Sequence, residues 1–175
     1  MKLGEKAIDF SLKGVDGKIY SLASFSEAKA LVIIFSCNHC PYVQAYEDRM
    51  IEISRDYQNR KVSLVAINSN DSVSYPDDSF DEMAKRSKAK GFNFPYLHDE
   101  SQKTAREYAA THTPHLFVFD SQRRLAYTGK IDDNWENPAL VQKRYLRDAL
   151  DDLLEGNPVR LPETHAIGCT IKWKK

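Results

Sequence analysis

One stretch, residues 31–57, constrains the fold of this chain more than any other. It begins with an apolar run in which Val32, Ile33 and Ile34 are β-branched, and this pattern predicts a strand buried on both faces. Pro41 suits the first turn of a helix, where its missing N–H group costs nothing. A core-facing stripe at helical spacing then predicts one long helix, and the stripe consists of Val43, Tyr46, Met50, Ile53 and Tyr57.

Two cysteines, Cys37 and Cys40, lie where this strand ends and the helix begins. A helix N-terminus presents unpaired N–H groups and the positive end of the helix dipole, and both favour a thiolate. We predict that Cys37 stands just before the helix and has the lower pKa, whereas Cys40 lies one turn further in. A Cys-x-x-Cys pair after a strand in a β/α pattern indicates a redox dithiol. The alternatives are two unconnected thiols and half of a zinc site, for which the chain has no second such pair.

The whole chain has the composition of an ordinary globular protein, with 42% hydrophobic and 29% charged residues. Its 25 basic and 25 acidic residues cancel, so the charge predicts neither a nucleic-acid partner nor binding to a membrane surface. The sequence has no apolar run that suits a transmembrane helix and no apolar signal-peptide core near its start, so we expect a cytoplasmic protein. In a reducing compartment a close cysteine pair is more often catalytic or metal-binding than structural.

The remaining elements alternate between strands and helices, which predicts an α/β fold whose central mixed sheet has helices on both faces. Asp16 and Gly17 predict the turn of an N-terminal β-hairpin. Ser79 is predicted to cap a helix that Gly91 ends, and Pro138 is predicted to open the last helix. We expect a single domain over residues 1–175, of which residues 157–175 form a C-terminal tail without clear periodicity.

Three segments of the chain resemble a known family. Residues 4–25 resemble an N-terminal hairpin, FSCNHCPYV at residues 35–43 resembles a redox turn, and THTPHLFVFD at residues 111–120 resembles a proline loop. The chain is thereby identified as similar to the thioredoxin-like superfamily, in the redoxin branch that holds the alkyl hydroperoxide reductase and thiol-specific antioxidant proteins. This resemblance, over about residues 3–155, implies a thioredoxin-like fold with an N-terminal β-hairpin extension. It also implies a cis peptide at Thr113–Pro114 facing the cysteines, with Thr113 and Pro114 as substrate-binding residues.

The chain departs from these relatives at three positions. Thioredoxins have Trp before the first cysteine, where this chain has Ser36, and a buried Asp where it has Leu31. The proton acceptor for the resolving thiol is therefore not identified. Peroxiredoxins have Thr three residues before their reactive cysteine, where this chain has Ile34 before Cys37. The missing Thr argues against efficient peroxidase chemistry.

The dithiol and the resemblance together predict a thiol–disulfide oxidoreductase in which Cys37 attacks a substrate disulfide and Cys40 resolves the mixed disulfide. Such an enzyme requires no bound cofactor or metal, and its partners are protein or small-molecule disulfides and a dithiol that acts as reductant or oxidant. One alternative is a thiol peroxidase with antioxidant activity, in which Cys37 becomes a sulfenic acid that condenses with Cys40 or Cys169. Another is a copper-binding chaperone of the same fold, whose cysteines are spaced one residue wider.

Other polar residues near these motifs each have two interpretations. His39 is either an imidazolium that stabilises a neighbouring thiolate or an exposed residue at the helix start. His112 and His115 flank the proline loop, either as ordinary surface or hydrogen-bonded residues or in a role at the cysteines. Cys169 is either a third redox thiol or a buried free cysteine. A solvated loop, or alternatively a docking site for a partner, is predicted for the acidic residues Asp132, Asp133 and Glu136.

Overall fold

Seven strands form the central sheet in the computed structural model, which describes residues 1–175. In chain order the strands are β1 (Leu12–Gly14), β2 (Ile19–Tyr20), β3 (Ala30–Ser36), β4 (Val62–Asn68), β5 (Tyr96–His98), β6 (His112–Thr113), β7 (His115–Phe119), β8 (Leu125–Gly129) and β9 (Cys169–Thr170). The sheet order is β2-β1-β5-β4-β3-β7-β8, and β6 pairs with β9 apart from it. Because β3, β4 and β5 are parallel and the other neighbours antiparallel, the predicted mixed sheet with an N-terminal hairpin at one edge is confirmed.

Four α-helices cover the two faces of this sheet, and they are α1 (Pro41–Tyr57), α2 (Phe80–Lys90), α3 (Lys103–Tyr108) and α4 (Tyr145–Leu154). Every residue of β3 is buried, because successive side chains point into opposite cores. Val32 and Ile34 pack with residues of α1, α2 and α4, whereas Leu31, Ile33 and Phe35 pack with residues of α3. The prediction of a strand buried on both faces is therefore confirmed. None of the helices combines the length and apolar character needed to span a membrane.

The second helix begins and ends where its sequence signals predict. Ser79 Oγ accepts a hydrogen bond from the backbone N–H of Glu82 at 3.2 Å, which satisfies one of the free donors of the first turn. Gly91 follows the helix with φ of +69°, a left-handed conformation that glycine adopts without a side-chain penalty. Helix α1 likewise begins at the predicted Pro41, and all of its predicted stripe is buried.

The last helix does not begin at Pro138, which corrects the prediction from the sequence. Pro138 opens a short 3₁₀ turn, Pro138–Leu140, after which the backbone becomes extended. Asp133 holds this extended piece, because its carboxylate accepts the N–H of Gln142 at 3.0 Å and its own N–H donates to the carbonyl of Lys143 at 3.1 Å. Helix α4 therefore starts only at Tyr145. A proline at a helix start favours a first turn but does not set how far the helix continues.

The short strands β6 and β9 bring the C-terminal tail to the proline loop. They pair antiparallel, so that Thr113 lies opposite Cys169. Strand β9 was not predicted, because two residues are too few to show a periodicity. The Thr113–Pro114 peptide is cis, as the resemblance implied. The division of residues 1–175 into one domain with a tail at 157–175 stays a prediction.

Candidate active site

The turn between the two cysteines is held outside the helix. Cys37 directly follows β3, and Cys40 is the N-cap residue of α1 with extended backbone angles (φ −145°, ψ 122°). Asn38 is anchored away from the helix, because its N–H donates to the Asp78 carboxylate at 2.7 Å and its carbonyl accepts from the side chain of Gln44 at 3.0 Å. The prediction that Cys40 lies one turn inside the helix is therefore wrong. The free N–H groups of the helix N-terminus are at Cys40.

Both sulfur atoms lie against one residue, Thr113, which precedes the cis Pro114. Cys37 Sγ is 3.5 Å from Thr113 Oγ1, and Cys40 Sγ is 3.5 Å from the Thr113 carbonyl oxygen. The predicted position of the proline loop beside the cysteines is thus confirmed. The substrate-binding role of Thr113 and Pro114 stays a prediction.

The two thiols are covered from solvent. The exposed fraction is 2% for Cys37 and 1% for Cys40, and with Val43 they form a small buried cluster. Tyr42 and Cys169 are partly buried and pack on this cluster. All three cysteines are free thiols in this structure. A substrate disulfide reaches either sulfur only if part of this cover moves.

The neighbouring thiols shift the pKa of Cys40 downward. The neighbouring Cys37 thiol is the largest cause that lowers the pKa of Cys40 to about 4, the Cys169 thiol acts in the same direction, and burial opposes the shift. The hydrogen bond from the Cys40 thiol to the Thr113 carbonyl requires a protonated sulfur. This bond therefore favours the thiol form of Cys40 and opposes the lowering of its pKa.

The pKa of Cys37 is shifted in the other direction. Its hydrogen bond to Cys40 is the largest cause, and burial and the nearby charge of Asp78 raise the pKa further. These shifts run opposite to the prediction that Cys37 has the lower pKa, whereas the contact of Cys37 Sγ with the Thr113 hydroxyl and the bond from the Cys40 thiol to the Thr113 carbonyl agree with it, so it stays a prediction. It assumed a helix that starts at Cys37, whereas the helix starts after Cys40.

A buried carboxylate, Asp78, supports the cysteine turn and was not among the site residues predicted from the sequence. It is 2% exposed and accepts hydrogen bonds from the N–H of Asn38 and from the side-chain amides of Asn68, at 3.1 Å, and Asn70, at 3.0 Å. Leu31 occupies the position of the buried thioredoxin Asp, so this chain places a carboxylate near the cysteines from a different segment. The sequence contained one signal for this polar cluster: Asn68, which binds Asp78, ends β4 directly beside the end of β3.

Replacing Asp78 by Asn is expected to lower the pKa of Cys37, because the variant removes a negative charge that opposes its ionisation. Alkylation of Cys37 by iodoacetamide at pH 8 should become severalfold faster, as measured by peptide mass mapping over time. Asp77→Asn is the matched control, because the Asp77 side chain is 74% exposed and lies next in the chain. An unchanged Cys37 rate in Asp78→Asn, or an equal increase in Asp77→Asn, would contradict this role of Asp78.

The histidines near these motifs do not bind the sulfurs. His39 is 75% exposed and lies 3.8 Å from the Asp77 carboxylate, in agreement with the exposed interpretation. His115 accepts the N–H of Thr111 at 3.3 Å, and burial is the main cause that lowers its pKa to about 4. His112 Nδ1 is hydrogen-bonded to the hydroxyl of Thr111 at 2.8 Å. His112 and His115 therefore support the backbone around the proline loop.

The acidic loop after β8 is only partly solvated. Asp133 and Glu136 are exposed, as predicted, but Asp132 is 5% exposed. Its carboxylate binds the Arg49 guanidinium and the Tyr46 hydroxyl, each at 2.8 Å. The prediction of a solvated Asp132 is wrong because both of its partners belong to a distant helix.

The arrangement of side chains gives the metal-binding alternatives no further ligand. The structure contains no group of three or more His, Cys, Asp or Glu side chains that could hold a metal ion. The zinc and copper interpretations therefore rest on the cysteine pair alone.

Comparisons with known proteins agree with this architecture. The AhpC/TSA family model matches residues 3–128, and no curated protein matches the chain. An uncharacterized conserved protein from Geobacillus kaustophilus is 42% identical, with a TM-score of 0.94 over 99% of this chain and 93% of that one. Peroxidoxin BcpB from Mycobacterium tuberculosis is 18% identical, with a TM-score of 0.65 over 89% and 95% of the two chains. A putative thiol:disulfide interchange protein DsbE from Chlorobium tepidum is also 18% identical, with a TM-score of 0.68 over 89% and 97%. These last two likenesses show a shared thioredoxin-like fold.

Proposed function

This chain belongs to the AhpC/TSA family, and from that premise we propose that it is a thiol–disulfide oxidoreductase whose reactive dithiol is Cys37 and Cys40. One observation carries the proposal: two thiols of one buried cluster lie at the N-terminus of α1 and against Thr113 of the cis-proline loop. A helix N-terminus stabilises a thiolate, and a neighbouring thiol can resolve the mixed disulfide that this thiolate forms. Family membership supports a redox enzyme, and the dithiol supports this particular reaction.

The reaction begins with the Cys40 thiolate, which attacks one sulfur of a substrate disulfide. A bond forms between Cys40 and that sulfur, the substrate S–S bond breaks, and the second substrate sulfur leaves as a thiolate that takes up a proton. Cys37 then loses its proton and attacks the Cys40 sulfur, which releases the first substrate sulfur and leaves a Cys37–Cys40 disulfide. A dithiol partner restores the reduced pair, and the same steps in reverse oxidise a dithiol substrate.

These roles reverse the assignment made from the sequence, in which Cys37 attacks and Cys40 resolves. We assign the first attack to Cys40 because it is the N-cap residue of α1 and because its neighbouring thiols lower its pKa. The hydrogen bond to Cys40 is the largest cause of the raised pKa of Cys37. Once Cys40 is bonded to substrate, it carries no negative charge and that cause is removed. Cys37 therefore becomes easier to ionise at the step that requires it.

Thr113 and Pro114 are proposed to contact the substrate, because Thr113 touches both sulfurs. The backbone edge of Thr113 is paired with β9 of the tail, so an extended peptide must displace that strand, whereas a small disulfide needs less movement. The proposed partners are small-molecule or protein disulfides and a dithiol reductant or oxidant. The absence of a cofactor, of nucleic-acid or membrane partners, and the cytoplasmic localisation stay predictions.

Thiol peroxidase is the second candidate, and the family match favours it. With Cys40 as the thiolate, the position three residues earlier is Cys37, so the peroxiredoxin Thr is again missing. We therefore expect the reduced protein to react faster with a model disulfide than with hydrogen peroxide at equal concentration.

Stopped-flow rates with hydrogen peroxide and with 5,5′-dithiobis(2-nitrobenzoic acid), followed by peptide mapping of the products, test this proposal. The Cys40→Ser variant supplies the background rate for each oxidant. A faster reaction with peroxide would establish the peroxidase instead. A wild-type rate with the disulfide that does not exceed the Cys40→Ser background would show that neither function uses Cys40.

A further inference from the structure

A third thiol, that of Cys169, reaches the dithiol from the C-terminal tail. Cys169 packs on the buried cluster that contains Cys37 and Cys40. The proximity of Cys169 is also among the causes that lower the pKa of Cys40. Cys40 therefore contacts two thiols, one from its own turn and one from the tail, and each is a candidate to form a disulfide with it.

The tail backbone approaches the proline loop unusually closely at this point. Thr113 and Cys169 are partners in the β6–β9 pair. A Cβ atom at Gly168 would clash with the Thr113 carbonyl oxygen, so this approach requires a glycine. The same carbonyl contacts Cys40 Sγ at 3.5 Å. Gly168 thus allows the tail to place Cys169 beside the sulfur that carries the proposed chemistry.

The residues after Cys169 fix the tail in this position. Ile171 is 3% exposed and belongs to the core on the α3 face of the sheet. Its N–H donates to the Thr111 carbonyl at 3.0 Å, and the N–H of Lys172 donates to the Asn70 side chain at 2.9 Å. Cys169 is therefore held beside Cys40 by packing and hydrogen bonds on the side of the tail that follows it.

We propose that Cys169 is a second resolving thiol, which forms a disulfide with Cys40 either from the mixed disulfide with substrate or from the Cys37–Cys40 disulfide. The proposal rests on the proposed function, because it requires a mixed disulfide on Cys40. It adds a residue outside the Cys-x-x-Cys pair to the reaction and gives the tail a chemical role.

Both reactions balance without a further oxidant. In the first, Cys169 loses its proton and attacks the Cys40 sulfur of the mixed disulfide, and the substrate sulfur leaves as a thiolate that takes up a proton. In the second, Cys169 attacks the Cys40 sulfur of the Cys37–Cys40 disulfide, and Cys37 leaves as the thiolate that is protonated. The second reaction exchanges one disulfide for another and involves no net oxidation.

The two disulfides differ in what they do to the site. A Cys37–Cys40 bond closes a short loop and places no constraint on the tail. A Cys40–Cys169 bond ties β9 to the start of α1, across the edge of Thr113 that is proposed to bind substrate. Transfer of the disulfide to Cys169 therefore holds the tail over the site until a reductant opens the bond.

The experiment follows the aromatic thiolate released from 5,5′-dithiobis(2-nitrobenzoic acid), with Cys37→Ser compared with Cys37→Ser/Cys169→Ser. In Cys37→Ser we expect two equivalents of thiolate per protein and a Cys40–Cys169 linkage in the peptide map. In the double variant we expect one equivalent and a stable adduct on Cys40. Release of the second equivalent should be at least about 100-fold faster with Cys169 present, because attack within the molecule replaces attack from solution.

The proposal is overturned if Cys37→Ser keeps its adduct as long as the double variant does. It is also overturned if the second equivalent arises from disulfide-linked dimers, which a non-reducing gel detects. The peptide map of Cys37→Ser decides the matter even if the double variant fails to fold. Failure of the proposed function looks different, because Cys40→Ser would then release thiolate as fast as the unmodified sequence.

Discussion

Cys40→Ser is expected to lower the rate of disulfide reduction on the order of 10⁴-fold or more, as loss of a nucleophile does in other covalent catalysts. The reason is that Cys40 is the proposed nucleophile, because it is the N-cap residue of α1 and its neighbouring thiols lower its pKa. Cys37→Ser should instead keep the first step within about tenfold of the parent rate, because its hydroxyl can still donate to the Cys40 sulfur. Single-turnover kinetics with a chromogenic disulfide measure both steps.

The pH dependence of alkylation independently tests the proposal that Cys40, and not Cys37, is the attacking thiolate. A thiol whose pKa is lowered to about 4 is about 90% ionised at pH 5, so the iodoacetamide rate at Cys40 should change by less than about 20% from pH 5 to pH 8. Cys37, with its raised pKa, should remain unlabelled at pH 6. A rate at Cys40 that climbs about tenfold per pH unit over this range, or earlier labelling of Cys37, would restore the assignment made from the sequence.

Arg49→Met is expected to lower the free energy of unfolding by about 3–5 kcal/mol, because it leaves the buried Asp132 carboxylate without its cation. The Arg49 side chain is 9% exposed, binds Asp132 at 2.8 Å, and also donates to the carbonyls of Asn134, at 2.7 Å, and Trp135, at 2.8 Å. Its guanidinium lies 4.4 Å from the ring centre of Tyr46, so one side chain joins α1 to the loop after β8. For a chain of this size the loss corresponds to a melting temperature lower by roughly 6–20 °C.

Urea unfolding followed by circular dichroism measures this loss. Lys85→Met is the control, because the Lys85–Glu82 pair is exposed, at 73% and 44%, and its removal should cost less than about 1 kcal/mol. Arg49→Met/Asp132→Leu removes both charges and should recover part of the loss. A loss below about 1 kcal/mol in Arg49→Met alone would show that Asp132 finds other compensation.

The buried ion pair between Asp132 and Arg49 is relevant to function as well as to stability. A carboxylate that is buried and paired with Arg49 is not free to dock a partner, so the docking alternative applies only to the exposed Asp133 and Glu136. Loss of stability in Arg49→Met without a change in the first step of disulfide reduction would separate this ion pair from the chemistry at Cys40.

Local sequence patterns determined the elements that position the site. The apolar β-branched run of β3, the proline at the start of α1, and the Ser79 and Gly91 caps of α2 each act through neighbours in the chain. These signals depend only on backbone geometry and on the spacing of apolar residues along the chain. They can therefore be recognised in the sequence without knowledge of distant contacts. The resemblance of residues 111–120 to a proline loop further predicted the cis peptide beside the cysteines.

Only the tertiary structure decided where the helix N-terminus lies relative to the two cysteines. Asp78, far along the chain, captures the N–H of Asn38 and keeps the cysteine turn outside the helix, so that the helix N-terminus falls at Cys40. Two further features also depended on tertiary contacts. Asp132 is buried against Arg49, and Gly168 allows Cys169 to approach Cys40. Each joins residues from distant segments, and the energy of a buried charge or thiol depends on partners that folding brings together rather than on its neighbours in sequence.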